Sequence, residues 1–164
     1  VNVQATGAQQ AADFSKVQSH ETYLGTQRAE NFISPGGMVR GRSQVYEVGT
    51  PSRNQWGLSG EWTLQPQYAE LSGSEGRIVY RFHARDVHLV LGPNATGKPV
   101  RFRVTIDGQA PGADHGIDVD ANGVGTVNGE RLYQLIRQRG AVTERTFEIH
   151  FLDPGVRAYA FTFG

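Results

Sequence analysis

The sequence predicts an all-β domain, a jelly-roll-like antiparallel β-sandwich, and three observations support this. From Gln44 onward, apolar residues recur at every second position, which is the period of a strand with one buried face. The 164 residues include 21 glycines and one methionine, a composition typical of many turns and few helices. Turn dipeptides such as Asp107-Gly108 and Asn122-Gly123 separate the alternating stretches. Many short strands with such turns favour a sandwich over a parallel sheet.

The elements follow in chain order. Residues 1–20 are small, polar and aperiodic, and we interpret them as a linker or the end of a preceding domain, with a short helix at 11–17 as an alternative. Residues 21–164 form the predicted sandwich domain. Within it, period-two alternation predicts strands over 56–64, 78–84, 87–91, 100–106, 147–151 and 159–163. Segment 131–137 fits a strand or a helix, and its surroundings favour a strand.

The composition excludes several classes of function. Sixteen basic and 16 acidic residues balance, so no nucleic-acid partner or membrane contact is expected from overall charge. The absence of cysteine excludes disulfides, thiolate metal sites and thiol redox chemistry in this chain. No apolar run reaches the roughly 20 residues needed to span a bilayer, and no leader pattern opens the chain. No cofactor is expected.

Residues 92–98 match most of a phosphate-binding P-loop. Pro99 stands where the magnesium-binding Ser or Thr belongs, and the following 101–106 segment is predicted to be a strand instead of a helix. Without a helix N-terminus there is nothing to hold the phosphates. We therefore predict a surface hairpin loop.

Residues 118–123 match the first half of a calcium loop. Asp118, Asp120 and Asn122 offer hard oxygen ligands at alternate positions, but Gly129 stands at position twelve and Glu130 follows one residue later. An Asn-Gly hairpin explains the same residues. A calcium site is the weaker of these two hypotheses.

Trp56 and Trp62 present a similar choice. Their rings could stack on a sugar, but both share an apolar face with Leu58 and Leu64, which favours core packing.

Basic side chains alternate on the opposite faces of two predicted strands: Arg81, His83, Arg85, Arg101 and Arg103. If those strands are neighbours, they form a cationic binding face. The favoured alternative is a solvated face with acidic partners such as Glu148.

Several stretches together resemble one family. They are 21–25, 28–32, 54–62, 77–82, 84–90, 102–108, 114–120, 131–137 and 160–164. In this order they are similar to the C-terminal domain of DipZ-type cytochrome c biogenesis and thioredoxin-family proteins. The resemblance covers about residues 21–164.

The resemblance implies a parent thiol–disulfide oxidoreductase with a thioredoxin-like domain, often behind a membrane electron-transfer domain. The C-terminal sandwich of that family resembles a carbohydrate-binding module, on the extracytoplasmic (periplasmic) side of a bacterial membrane. The Cys-x-x-Cys pair of the parent has no counterpart here, so no catalytic residue is carried over. We expect this chain to be a fragment of such a parent.

The expected function is non-catalytic binding of a glycan or another extracytoplasmic ligand. Candidate ligand-binding residues are Arg81, Arg101 and Arg103 on the predicted outward face, with Asp114, His115, Tyr133, Gln134 and Arg137 from the family-like loop and strand. Arginine and glutamine would donate to hydroxyls, aspartate would accept, and tyrosine would stack. Two alternatives stay open: docking on the thioredoxin-like domain or another protein, and a glycoside-active enzyme with two carboxylates about 5–10 Å apart.

Overall fold

A computed structural model describes residues 17–164, which contain ten strands and one short 3₁₀ turn at Gly112–Asp114. The strands are β1 (Thr22–Tyr23), β2 (Ser43–Tyr46), β3 (Trp56–Leu64), β4 (Ala69–His83), β5 (Asp86–Gly92), β6 (Val100–Ile106), β7 (Val124–Val127), β8 (Arg131–Arg137), β9 (Glu144–Phe151) and β10 (Arg157–Phe163). The predicted all-β class is confirmed, and segment 131–137 is a strand. The predicted helix and most of the predicted linker fall on residues 1–16, outside the described residues.

The strands form one curled antiparallel sheet. Its hydrogen-bonded path is β7-β6-β9-β4-β10-β5-β8. Outside this path, β3 pairs with β4, β2 pairs with β3, and β1 pairs with β10. Strand β4 is 15 residues long and pairs with β9 through its second half. Its first two residues, Ala69 and Glu70, pair with Ala158 and Arg157 of β10. This long strand therefore belongs to both halves of the sheet, which fold toward each other.

Aromatic rings join the two halves across the core. The ring centroids of Tyr80 on β4 and Phe161 on β10 are 4.9 Å apart, and those of Phe147 on β9 and Phe161 are 5.8 Å apart. Phe102 on β6 likewise meets Tyr133 on β8 at 6.5 Å. Such face-to-face packing of two inner faces is what a β-sandwich requires.

Both tryptophans belong to this core. Trp56 and Trp62 are 0% exposed, and each indole N–H donates to a backbone carbonyl, that of Glu30 at 2.8 Å and that of Ser59 at 2.9 Å. The core interpretation is confirmed, and neither ring is available to a sugar. Their side chains fall on the buried face because β3 keeps its period of two on either side of a register shift at Gly60.

The P-loop-like segment forms a surface turn. The Asn94 side-chain oxygen accepts from the Thr96 backbone N–H at 3.0 Å, and Gly97 N–H donates to the Asn94 carbonyl at 2.9 Å. Strand β6 follows where a phosphate-binding helix would have to start. The predicted surface loop is confirmed, but it is not a hairpin, because β5 and β6 are not neighbours in the sheet.

The domain boundary at residue 20 stays a prediction. Just before it, Gln18 N–H donates to the His83 carbonyl at 2.8 Å, and the Ser19 hydroxyl donates to the Asn54 side-chain oxygen at 2.6 Å. Residues 18 and 19 thus contact the end of β4 and the turn before β3. Among the residues described, no helix is long and apolar enough to cross a lipid bilayer.

Candidate functional site

The predicted arginine face is divided and largely neutralised. Strand β9 lies between β4 and β6, so Arg81 is not on a strand next to Arg101 and Arg103. The Arg81 guanidinium donates to Glu144 at 2.9 Å and lies 3.7 Å from Asp107. The condition for a continuous cationic face, neighbouring strands, is therefore not met.

The Arg101 guanidinium forms two hydrogen bonds with the carboxylate of Asp153. Its Nε and one terminal nitrogen donate to the two carboxylate oxygens of Asp153 at 2.9 and 2.8 Å. These bonds lower the pKa of Asp153 to about 2. Arg103 is exposed, and within residues 17–164 its side chain makes no hydrogen bond or ion pair. Glu148, the expected acidic partner, lies 3.5 Å from Arg77. Carboxylates thus pair with most of this face, as in the favoured alternative.

Asp114 and His115 attach a loop to its neighbours. One Asp114 carboxylate oxygen accepts the Arg139 backbone N–H at 2.8 Å. His115 forms an isolated bridge with Ile136 of β8, and its Nδ1 lies 2.8 Å from the Gly116 carbonyl. These contacts explain the two residues as supports of the 108–123 connection.

The three candidates on β8 are buried. Tyr133, Gln134 and Arg137 are 0%, 2% and 7% exposed. The Tyr133 hydroxyl donates to the Gly129 carbonyl at 2.7 Å, and Arg137 lies 3.7 Å from the buried Asp86 carboxylate. The expectation that Tyr133 stacks on a ligand is wrong, because its ring packs inside the sandwich.

The calcium-like residues form a turn. Asp118 Oδ1 accepts from the Arg131 guanidinium at 2.9 Å and Oδ2 from the Gln134 backbone N–H at 2.7 Å, so both oxygens already have donors. One Asp120 oxygen accepts the backbone N–H groups of Asn122 and Val124 at 2.9 and 3.0 Å. In the described part of the chain, no three His, Asp or Glu side chains gather to hold a metal. The predicted turn accounts for this segment, although within residues 17–164 no strand directly precedes it to make a hairpin with β7.

A groove that none of the predicted ligand-binding residues lines has the features of a binding site. It has a volume of about 540 Å³ and lies between β1, β10, β5 and the turn that joins β3 to β4. Its lining includes Tyr23, Arg28, Gln67, Glu130, Tyr159 and Ala160. Small-molecule sites typically have volumes of roughly 300–1,000 Å³ and combine apolar surface with a few polar groups. The groove fits that description.

Tyr23 and Arg28 form one wall. The Arg28 guanidinium carbon lies 3.7 Å above the centre of the Tyr23 ring. The Tyr23 hydroxyl donates to Glu21 at 2.7 Å, and this bond is the main reason that the pKa of Tyr23 is raised. The ring is thus fixed at its edge and on one face.

Tyr159 and Glu130 form the opposite wall. The Tyr159 hydroxyl donates to Glu130 at 2.7 Å, and the Tyr159 ring lies 5.4 Å from that of Tyr68. Partial burial, and then the bond to Glu130, raise the pKa of Tyr159 to about 12. Tyr159 is therefore a neutral donor at physiological pH, and Glu130 keeps one further oxygen for a ligand.

Sequence reasoning missed this groove because of one irregularity. Alternation along 159–163 placed Tyr159 on the apolar face with Phe161 and Phe163. In the structure the register of β10 against β5 shifts between Ala158 and Ala160. A bulge of this kind changes which face a side chain occupies, and Tyr159 consequently lines the groove.

Comparison with known proteins agrees with this fold and its extent. The model of the family described as "Thioredoxin like C-terminal domain" matches residues 19–164. Proteins named DipZ from Mycobacterium bovis and Mycobacterium tuberculosis are each 26% identical over 150 residues. The alignment covers 88% of this chain and 18% of each DipZ, so the chain spans less than a fifth of these relatives. The resemblance noted in the sequence is confirmed, and the chain belongs to the thioredoxin-like C-terminal domain family.

Proposed function

We propose that this domain is a non-catalytic binding module that binds carbohydrate in the groove between Tyr23 and Tyr159. The observation that carries the proposal is the combination of two tyrosines with Arg28, Gln67 and Glu130 around one cavity. Aromatic rings offer an apolar surface to the C–H faces of a sugar. Amide, guanidinium and carboxylate groups can pair with its hydroxyls.

The same lining favours binding over catalysis. Glycoside hydrolases typically use a pair of carboxylates on either side of the bond they cleave. Among the described residues that line the groove, Glu130 is the one carboxylate, and it already accepts a hydrogen bond from Tyr159. Thiol–disulfide chemistry requires cysteine, which this chain lacks.

The family membership supports an extracytoplasmic setting beside a thioredoxin-like domain. In this proposal, redox chemistry belongs to another part of a longer DipZ-like protein, and the sandwich supplies attachment to a glycan. Docking on the redox domain is the competing function. An exposed apolar patch near residue 20 would favour it. Among the described residues, however, the large exposed apolar side chains are Val45, Ile117 and Val124, on or beside β2 and β7.

The test is a glycan-array screen of the 164-residue chain, followed by calorimetric titration of the glycans that bind. We expect Tyr159→Ala to weaken binding by about tenfold or more, the loss typical of one anchoring contact of at least 1.4 kcal/mol. Arg101→Ala is the matched control, because Arg101 lies on β6 and does not line the groove.

Two results would contradict the proposal. Loss of binding in Arg101→Ala with retention in Tyr159→Ala would move the site to the face of β6 that carries Arg101. Failure of every neutral, acidic and cell-wall glycan to bind would replace carbohydrate binding with docking.

A further inference from the structure

The groove continues beyond its own walls. A second cavity of about 230 Å³ shares Tyr23 and Arg28 with it, and a third of about 500 Å³ shares Gln27 and Pro66. Members of segment 20–28 line all three cavities. The second and third cavities share no residue with each other, so the groove adjoins both of them, and we call the three cavities the row.

Backbone hydrogen bonds fix the segment that runs beside this row. Leu24 N–H donates to the Tyr159 carbonyl at 3.0 Å, Thr26 N–H to Gln65 at 2.9 Å and Gln27 N–H to Pro66 at 3.0 Å. Strand β10 and the turn after β3 therefore hold segment 24–27 in place. The row is a built feature of the fold, and a ligand would meet preorganised walls.

Arg28 stands at the junction between the middle cavity and the smaller one. Its guanidinium is positioned by stacking on Tyr23 at 3.7 Å. Within residues 17–164 it makes no hydrogen bond or ion pair, and the residue is exposed. A guanidinium has five N–H donors in a rigid fork. Arg28 can thus donate to groups in both cavities at once.

Gln27 stands at the other junction. Its backbone is tied to Pro66, while its side chain is exposed and has no hydrogen-bond partner in the described part of the chain. The amide offers two donors and one acceptor. It can therefore pair with hydroxyls on either side of the junction between the middle and third cavities.

The charges along the row disfavour an acidic ligand. The charged residues that line it are Arg28, Arg40, Glu21, Glu30 and Glu130. Acidic side chains outnumber basic ones, and like charges repel a polyanion. Neutral hydroxyl-rich chains do not meet this penalty.

We propose that the row of cavities binds one extended, neutral glycan of at least three sugar units along segment 20–28, with Arg28 and Gln27 hydrogen-bonding at the two junctions. This inference rests on the proposed carbohydrate function. It adds the class of ligand, an oligosaccharide instead of a single sugar. It also names the residues that make the affinity depend on the number of sugar units.

The test is calorimetric titration of the full chain with neutral glucose-based and N-acetylglucosamine-based oligosaccharides, from one unit to about six, and with acidic galacturonate oligomers of the same lengths. We expect affinity to rise about tenfold or more between one unit and three, and to level off beyond the length that fills the row. The ratio of three-unit to one-unit affinity should fall in Arg28→Gln and in Gln27→Ala. Arg103→Gln, an exposed residue on β6, is the control and should keep that ratio.

The outcomes separate this inference from the function on which it rests. Binding that does not depend on chain length would overturn the extended cleft and leave the groove as a single-sugar site. Absence of binding of every neutral oligomer would overturn this inference, and absence of binding across the glycan array as well would overturn the proposed function. Tighter binding of galacturonate oligomers than of neutral ones would overturn the neutral class of ligand.

Discussion

At the scale of single residues, Tyr133 shows how a polar atom inside the sandwich is paired with nearby backbone. The Tyr133 ring lies in the core, while its hydroxyl accepts N–H groups of Asn128 and Gly129 at 3.2 and 3.3 Å and donates to the Gly129 carbonyl. One phenol thereby closes the turn between β7 and β8. A residue that looked suited to ligand stacking is a structural support of that turn.

We expect Tyr133→Phe to lower the free energy of unfolding by about 1–3 kcal/mol, because it leaves turn backbone groups without a partner. Urea denaturation measures this loss. Tyr68→Phe is the matched control, since the Tyr68 hydroxyl makes no hydrogen bond within residues 17–164. Equal losses in the two variants would show that the Tyr133 hydroxyl does not stabilise the turn.

One residue, His88, should make the free energy of unfolding depend on pH. It pairs in register with Gln134 on β8 and Thr162 on β10. Burial lowers its pKa; the Asp86 carboxylate opposes this, Arg137 and Arg85 add to it, and Asp118 weakly opposes it. The ring is therefore harder to protonate in the folded state than in the unfolded chain.

The direction of the pH dependence follows from this difference in pKa between the folded and unfolded states. A group whose pKa is lowered by folding favours the unfolded state when it is protonated. The contribution of His88 is complete above its ordinary pKa of about 6.5 and is lost as pH falls below it. We expect the free energy of unfolding to decrease between about pH 7.5 and pH 5, and less so in His88→Gln. Exposed His20 gives the control His20→Gln, which should keep the wild-type profile. Superimposable profiles for His88→Gln and wild type would contradict this assignment.

At the scale of elements, the groove depends on a close approach between segment 20–28 and the turn from β3 to β4. A Cβ atom placed on Gly25 would lie 2.3 Å from the Pro66 carbonyl oxygen and 2.4 Å from the Gln67 carbonyl carbon. Both contacts are to backbone, which cannot move aside as a flexible side chain would. Only glycine allows the two segments to meet at this distance.

We expect Gly25→Ala to cost about 1–3 kcal/mol of stability, the range for overpacking a close contact, and to weaken glycan binding by displacing Tyr23 and Arg28. Thermal and urea denaturation measure the first effect, and calorimetry the second. Gly49→Ala serves as the control, because a Cβ there meets nothing within 4 Å. The same stability in both variants would mean that the two segments can separate without cost.

At the scale of the whole molecule, the two halves of the curled sheet are held by aromatic packing. Phe161 is 0% exposed and meets Tyr80 and Phe147 across the core, with Phe163 beside it at 6.0 Å. Strand β10 therefore connects the groove on its outer side with the core on its inner side. Loosening this strand should affect both.

We expect Phe161→Ala to lower the free energy of unfolding by about 3–5 kcal/mol, because it leaves a cavity between the two half-sheets. Phe161→Leu should cost less and keeps the test usable if the alanine variant does not fold. Val45→Ala, at a side chain that is 69% exposed, should change stability by no more than about 0.5 kcal/mol. A loss below about 1 kcal/mol in Phe161→Ala would contradict a continuous inter-sheet core.

The sequence by itself determined the fold class, the main strands, the turns and the family. Period-two alternation is local, so the placement of Ile78, Tyr80 and Phe82 on one face, and the burial of Trp56 and Trp62, could be predicted without knowing any partner strand. Turn chemistry is local too, and turns form at 92–98 and 118–123 as their residues predicted, whereas the hairpins expected there depend on strand pairing and do not form.

Only the tertiary structure decided the site. Alternation indicates which residues share a face, but strand order decides which faces meet, and here β9 separates the arginines of β4 from those of β6. The burial of Tyr133 depends on which segments cover β8, and the position of half-buried Tyr159 in the groove depends on a register shift in β10. Such pairings join residues far apart in the chain, and a shift of one residue moves a side chain to the opposite face. The groove beside Tyr23 therefore exists only once segment 20–28, the turn after β3 and the bulged strand β10 have come together.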